Sequence, residues 1–485
     1  MIEETAQPPA APYVATAPPV RRNDRPSRNE GREGPNHRTG KAKQEDMNSK
    51  PGKQLWLSLT IGDELGTYDL SSENPTETMQ LMERIVAPEN LRAALRRVRG
   101  NKGAPGVDGM TVDELGEFLT HHWPHLRQQL LTGTYVPAAV LRHELKKEGG
   151  GIRVLGIPTV LDRFIQQAVL QVLQEEWDRT FSDASYGFRP ERSAKQAVER
   201  AREYYREGCR WVVDLDLEKF FDRVNHQKLM SLVRSRVTDE RVNGLIGRYL
   251  KAGMLTGDVL IPRGEGTPQG GPLSPLLANL LLDRLDKELE KRKHRFVRYA
   301  DDCNIYVKSQ RAGQRVKESV KRWLADHLKL KINEDKSAVA HPRQRSFLGF
   351  SIGRNASVKL SDKTVRRIKA RIRQIVSRKR GRSVRQIIGE LGAYLRGWLA
   401  YFGYATGDQF RLLQSWLMRK LRCYQWKQWG SRGYRELRKR GVSRDLAWNT
   451  SKSAHGPWRL SMSPALSIAL PTGNFIKLGL PWLHR

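Results

Sequence analysis

Two short β-forming runs that carry acids constrain this chain most. Residues 211–217 read Trp-Val-Val-Asp-Leu-Asp-Leu. Strict alternation predicts a strand with Trp211, Val213, Leu215 and Leu217 on one face and Asp214 and Asp216 on the other. Phe220-Phe221-Asp222 follows, and Asn225 can cap the next helix. Residues 296–307 read Phe-Val-Arg-Tyr-Ala-Asp-Asp-Cys-Asn-Ile-Tyr-Val. Here two β-rich stretches flank the pair Asp301-Asp302, as in a hairpin. An acid inside an apolar strand is costly without a cation. Three carboxylates gathered at a strand end and a neighbouring turn would repel one another. Two Mg2+ ions remove that repulsion, and oxygen is the ligand Mg2+ prefers. Such a pair, ~3.5–4 Å apart, activates a hydroxyl and stabilises the leaving group of an in-line displacement. Asp216, Asp301 and Asp302 are therefore the candidate catalytic and metal-binding acids. Asp222 and Asp214 read as turn or cap residues.

The 485 residues allow two to four domains. Residues 1–78 are rich in Pro, Ala, Asn, Arg and Ser and read as a disordered extension. From 79 to 355, helix and strand patterns alternate irregularly, which predicts an α+β fold rather than a regular βαβ array. Three amphipathic helices follow at about 362–380, 384–402 and 408–428. Ser361 and Ser383 can cap the first two, and short connections favour a compact three-helix bundle. Residues 431–485 are basic, contain Trp, and are punctuated by Gly and Pro, which suggests a small appended domain.

The chain has 86 Lys and Arg against 52 Asp and Glu, a net charge of +34. Residues 361–485 hold 27 of the basic residues and 5 of the acidic ones. That excess points to a polyanionic partner. Seven of the twelve Trp lie in the same stretch. Most are expected in the core, because Trp is more often packed than stacked on a ligand. Cys209, Cys303 and Cys423 form no CxxC pair, which argues against structural zinc and disulfides and for a reducing, cytoplasmic setting. No apolar run approaches the ~20 residues of a membrane span.

Tyr299-Ala300-Asp301-Asp302 matches the YxDD signature of reverse transcriptases, and residues 216–222 match their first carboxylate motif. Across roughly 85–430 the ordered motifs resemble the reverse transcriptase/maturases encoded by group II introns. The resemblance implies right-hand polymerase fingers and palm over 79–355 and an all-α thumb, domain X, over 356–430. It implies a basic DNA-binding segment over 431–485. It assigns two Mg2+ to Asp216, Asp301 and Asp302, with Leu217 counted among the metal contacts. Lys147 and Arg153 flank a Gly-rich hairpin whose flexibility lets both cations approach a triphosphate. Gln269, in Thr267-Pro268-Gln269-Gly270-Gly271, would contact the nucleotide or the template–primer pair. Phe221 would pack under the sugar and exclude a 2′-hydroxyl, which implies DNA synthesis. Lys336, in Asn333-Glu334-Asp335-Lys336, is a possible general acid. Tyr186-Gly187-Phe188-Arg189-Pro190 resembles a further fingers motif without assigned chemistry, and Phe347-Leu348-Gly349-Phe350 resembles the primer grip.

The expected function is an RNA-directed DNA polymerase and maturase that binds intron RNA, assists splicing and reverse-transcribes the intron for mobility. Its expected partners are group II intron RNA, an RNA template with DNA primer, target DNA and deoxynucleoside triphosphates. With no Cys pair or HNH-like cluster after residue 430, the expectation is an endonuclease-lacking form. One alternative is a stand-alone reverse transcriptase domesticated for defence or repair. Another is an RNA-binding splicing factor without polymerase activity, against which intact Asp216, Asp301 and Asp302 count.

Overall fold

A computed structural model describes residues 80–146, 151–256, 259–261, 264–267 and 270–483. The expected N-terminal extension, Lys147 and Gln269 lie outside the described residues. The fold is α+β, and the described residues include, in chain order, the strands β1 Val140–Lys146, β2 Ile152–Ile157, β3 Trp211–Leu215, β4 Met254–Thr256, β5 Val259–Ile261, β6 Arg295–Tyr299, β7 Asp302–Val307, β8 Ala338–Ala340, β9 Phe350–Ile352 and β10 Val358–Leu360. Among the described residues, 182–218 with 282–483 form one compact unit, and 80–181 with 219–281 form another.

The unit containing 182–218 and 282–483 carries an antiparallel sheet in the order β6-β7-β3-β8. Helix Ala194–Arg206 starts from a capping box of Ser193 and Gln196 and buries Ala197 and Ala201. Helix Gln310–Trp323 lies so close to the sheet that a Cβ on Gly313 would come 2.4 Å from Val339 Cγ1. Ala or anything larger there would lift the helix off β8.

Helices Asp362–Ile375, Val384–Phe402 and Gln409–Trp429 follow the β9–β10 hairpin. Ser361 accepts from the Thr364 amide, and Ser383 forms a capping box with Gln386, so both expected caps are in place. The first helix ends at Ile375, five residues short of the sequence boundary, with Val376 buried beside it.

The tail does not stand apart as the appended domain expected from sequence. Leu437, Val442, Ala447, Leu460, Leu466, Leu470, Phe475, Leu480 and Leu483 join the same continuous core as the three long helices. Gln414 on the third helix accepts from the Leu483 amide at 3.1 Å, and Arg422 donates to the Leu470 carbonyl at 3.1 Å. Short helices broken by Gly and Pro cannot each bury a face alone, so they share the bundle's. Of the seven Trp in this region, Trp429 is buried and Trp398, Trp416 and Trp426 pack on the core. Trp448, Trp458 and Trp482 are exposed.

The unit containing 80–181 and 219–281 holds a second sheet in the order β2-β1-β4-β5. Helices Pro88–Gly100, Leu115–Leu131, Val160–Trp177, His226–Arg234 and Glu240–Lys251 belong to it. Asn225 caps helix His226–Arg234 as expected, accepting from the Lys228 amide at 2.9 Å. Asp162, almost fully buried, accepts from Tyr135 Oη at 2.9 Å, Thr159 Oγ1 at 2.8 Å and the Ala138 amide at 3.1 Å. Burial pushes its carboxyl above the usual range, and the donors oppose that shift.

Candidate active site

The acids meet because two strand ends meet. β3 pairs with β7 so that Asp214 faces Asn304 and Leu215 faces Cys303. One further step of that register brings Asp216 opposite Asp302. β6 and β7 join through a two-residue turn, with Tyr299 facing Asp302 and Ala300-Asp301 between them. Ala300 has φ 58°, the positive value that a type II′ hairpin turn requires at its first position. The hairpin and the alternation read from sequence are both present.

The backbone of Asp216 is held beyond the end of β3. Its amide donates to Ser337 Oγ at 2.9 Å, and its carbonyl accepts from the Asn333 amide at 2.7 Å. Leu217, buried, bridges Ile332, and the Glu218 amide donates to the Lys331 carbonyl at 2.9 Å.

The charges of these acids act on one another. The Asp302 carboxyl is pushed well above the carboxylate range, first by burial and then by the charges of Asp214, Asp301 and Asp216. Arg345 opposes the shift. Asp214 is raised by burial too, with Arg345 again opposing.

Asp214 corrects the turn-or-cap assignment made from sequence. It is a mid-strand residue whose Oδ2 accepts from Arg345 Nε and Nη2, both at 2.7 Å. Arg345 also donates to the Lys336 carbonyl. Lys336 belongs to an Asn333 turn, and its ammonium makes no hydrogen bond or ion pair among the described residues. Arg345 and Ser337 were not legible as site residues. Each lies more than a hundred positions from its partner, and no periodicity marks it.

Whether a metal fits follows from these donors. Among the described residues, no three His, Cys, Asp or Glu side chains converge closely enough to hold one ion as they stand. The chemistry nevertheless fits a hard divalent cation. The donors are carboxylate oxygens, and the Asp302 carboxyl, raised first by burial and then by the charges of Asp214, Asp301 and Asp216, is in a position that an added positive charge would relieve.

The remaining candidates belong to the other unit. Arg153 is exposed on β2, opposite Leu145. Phe220 is buried, and Phe221 is half-buried with its ring 5.1 Å from that of Phe220, edge-on. The Phe221 carbonyl accepts from the Thr267 amide at 2.7 Å. Gly270 has φ 147°, and a Cβ there would come 2.4 Å from the Gly156 carbonyl oxygen. A Cβ on Gly271 would come 2.2 Å from Gln166 Oε1. The close approach these two glycines provide in this structure is to the protein's own β2 and helix Val160–Trp177.

The family described as "Reverse transcriptase (RNA-dependent DNA polymerase)" matches residues 145–352. "Group II intron, maturase-specific domain" matches 365–441. The chain is 34% identical over 320 residues to Protein YkfC of Escherichia coli, covering 57% of this chain and 84% of that protein. The chain belongs to the group II intron reverse transcriptase/maturases. Group II intron-encoded protein LtrA of Lactococcus lactis subsp. cremoris is 31% identical over 366 residues, covering 61% of each chain. Nuclear intron maturase 4, mitochondrial, of Arabidopsis thaliana is 26% identical over 249 residues, covering 50% of this chain and 29% of that protein. The chain thus spans less than two thirds of LtrA. In it the reverse transcriptase match takes in β3, β6, β7 and the acids, and the maturase match begins inside helix Asp362–Ile375. No helix among its described residues is long and apolar enough to cross a membrane.

Proposed function

We propose that this protein copies RNA into DNA with Asp216, Asp301 and Asp302 as its metal-binding acids, and that it acts as a maturase on group II intron RNA. One observation carries the polymerase reading. Asp216 from one motif and Asp301 and Asp302 from another act on each other electrostatically, and burial together with the neighbouring acids' charge pushes the Asp302 carboxyl well above the usual carboxylate range. Mg2+ fits these donors. When bound, it supplies the Lewis acid that polarises the reacting oxygens. Asp216, Asp301 and Asp302 would hold it, Leu217 offering its backbone carbonyl, while Ser337 and Asn333 fix the Asp216 backbone. Arg345 neutralises Asp214. Lys147 and Arg153 would grip the triphosphate, Gln269 the nascent pair, and Lys336 would serve as general acid. Intron RNA, an RNA template with DNA primer, target DNA and deoxynucleoside triphosphates are the corresponding partners.

Primer extension on an RNA template tests the reading. The parent should extend with deoxynucleotides in the presence of Mg2+ and fail with EDTA. Absence of extension on any primed RNA would sink it. Phe221→Ala should raise ribonucleotide incorporation by about tenfold, because the ring that would block a 2′-hydroxyl is gone. Unchanged discrimination in single-nucleotide addition would return Phe221 to a packing role.

Mg2+ binding should also be linked to pH. Asp302 must lose its proton to ligate, and that proton is held above the usual carboxylate range. Affinity should therefore fall as pH drops through the Asp302 titration, with net proton release. The metal-free fold should lose stability as pH rises from the ordinary carboxylate range up to the Asp302 titration, because over that interval the unfolded chain gives up this proton and the fold retains it. Calorimetry in two buffers of different ionisation enthalpy checks the release, which Asp302→Asn should diminish.

A further inference from the structure

The catalytic turn rests on a buried ion pair that no motif assignment includes. Arg298, one residue before Tyr299, has no solvent exposure, and neither does its partner Asp286 on helix Ser274–Lys291. Arg298 Nε donates to Asp286 Oδ1 at 2.8 Å and Oδ2 at 3.0 Å, and Nη2 donates to Oδ2 at 2.5 Å. The remaining arm, Nη1, donates to the Ala300 carbonyl at 2.9 Å. That carbonyl belongs to the residue with φ 58° that precedes Asp301.

A second segment presses on the same residue. Residues 186–190, which carry no assigned chemistry, lie beside the hairpin. The Tyr186 amide donates to the Arg298 carbonyl at 2.9 Å, and the Arg298 amide donates to the Ala184 carbonyl at 2.8 Å. A Cβ on Gly187 would stand 2.3 Å from the Ala300 nitrogen, so only glycine fits there. Arg189 in turn donates to the Ser182 and Ser185 carbonyls, at 2.6 and 3.0 Å.

We propose that Arg298 is a positioning residue: its guanidinium, anchored by Asp286, holds the Ala300 carbonyl and so fixes the turn that presents Asp301 and Asp302. This deepens the polymerase reading and rests on it. Alanine takes positive φ reluctantly, so the turn needs an external restraint to keep that conformation. A rigid three-armed fork fixed at two points supplies it. Lysine, a point charge on a flexible stem, does not.

The test separates positioning from folding. A buried ion pair replaced by apolar residues of similar volume is often neutral for stability. Arg298→Met with Asp286→Leu should therefore melt near the parent while losing the tether to Ala300. Its kcat for nucleotide addition should fall by about tenfold or more. KM for deoxynucleotide and affinity for primed RNA should stay within about twofold of the parent, since the lesion lies in the turn. Hydrogen exchange in the peptide spanning 296–307 should become faster. Ala300→Gly, measured alone as the reference, adopts positive φ without a tether. Added to the double variant, it should narrow the kcat gap.

Parental kcat and parental exchange in a normally melting double variant would overturn the proposal. A kcat gap of equal size with and without Ala300→Gly would also overturn it. Should the double variant fail to fold, Arg298→Lys decides: reduced kcat at unchanged KM supports the tether, and parental kcat rejects it. If the parent itself extends no primer, the polymerase reading fails, and the exchange comparison still decides whether Arg298 fixes the turn.

Discussion

Asp301→Ala should lower DNA synthesis on a primed RNA template by about 10³-fold or more, with RNA affinity within about twofold of the parent. Metal stabilisation of an in-line displacement is worth several kcal/mol, and each ~1.4 kcal/mol is a factor of ten in rate. Asp301 is one of the charges that raise Asp302, so its loss also removes repulsion from the cluster. The fold should tolerate the change for that reason. RNA affinity should persist because the positive charge lies elsewhere, with 27 basic residues among 361–485. Single-turnover primer extension and filter binding on the same preparation check both halves. Comparable extension rates for variant and parent would refute the metal assignment.

Deleting residues 431–485 should unfold the three-helix bundle, not merely weaken DNA binding. On charge alone the tail is a detachable grip, and its loss would leave polymerisation and splicing intact. The packing says otherwise. The deletion strips Leu437, Leu466, Leu470, Phe475, Leu480 and Leu483 from the core they share with helices Val384–Phe402 and Gln409–Trp429. It removes the backbone carbonyl at Gly479 that accepts from Arg396 at 3.4 Å, and the Leu483 amide that Gln414 accepts from. Removing each buried Leu or Phe costs about 2–5 kcal/mol. Six of them together, about 12–30 kcal/mol, are comparable to or larger than the whole stability of a typical domain, about 5–15 kcal/mol. The truncated chain should show no cooperative melting of its helical signal and rapid proteolysis after residue 360. It should lose RNA and DNA affinity together. A cooperative transition with RNA affinity retained would show that the bundle stands without its tail.

The charge hypothesis needs a gentler probe. Replacing the exposed Arg435, Lys439, Arg459 and Lys477 by Gln leaves the core untouched. If these residues neutralise DNA phosphates, the log–log salt slope on duplex DNA should flatten by about 0.9 for each phosphate no longer neutralised. An unchanged slope would move the DNA-binding face to another surface.

What the sequence by itself determined is what depends on neighbours along the chain. Alternation over 211–217 and the polar pair between two β-rich runs placed β3, β6 and β7 and put Asp301 in a turn. Hydroxyl and amide side chains ahead of apolar-periodic stretches marked the caps at Ser361, Ser383 and Asn225. These signals are local because the strand repeat, the helix repeat and a cap each involve residues a few positions apart.

Only the tertiary structure decided which distant groups hold those elements in place. Arg345 reaches Asp214 across 131 positions, and Ser337 reaches Asp216 across 121. Neither pairing leaves a periodic trace. Arg298 is a charged residue within a β-rich run, yet it is fully buried, because helix Ser274–Lys291 brings Asp286 against it. Its cost in lost hydration is met by a partner that no local pattern names. The tail was legible as basic and broken, but charge and breakers say nothing about whose core a short helix completes. That was settled by three long helices whose core is joined by residues 437–483 folding back onto it.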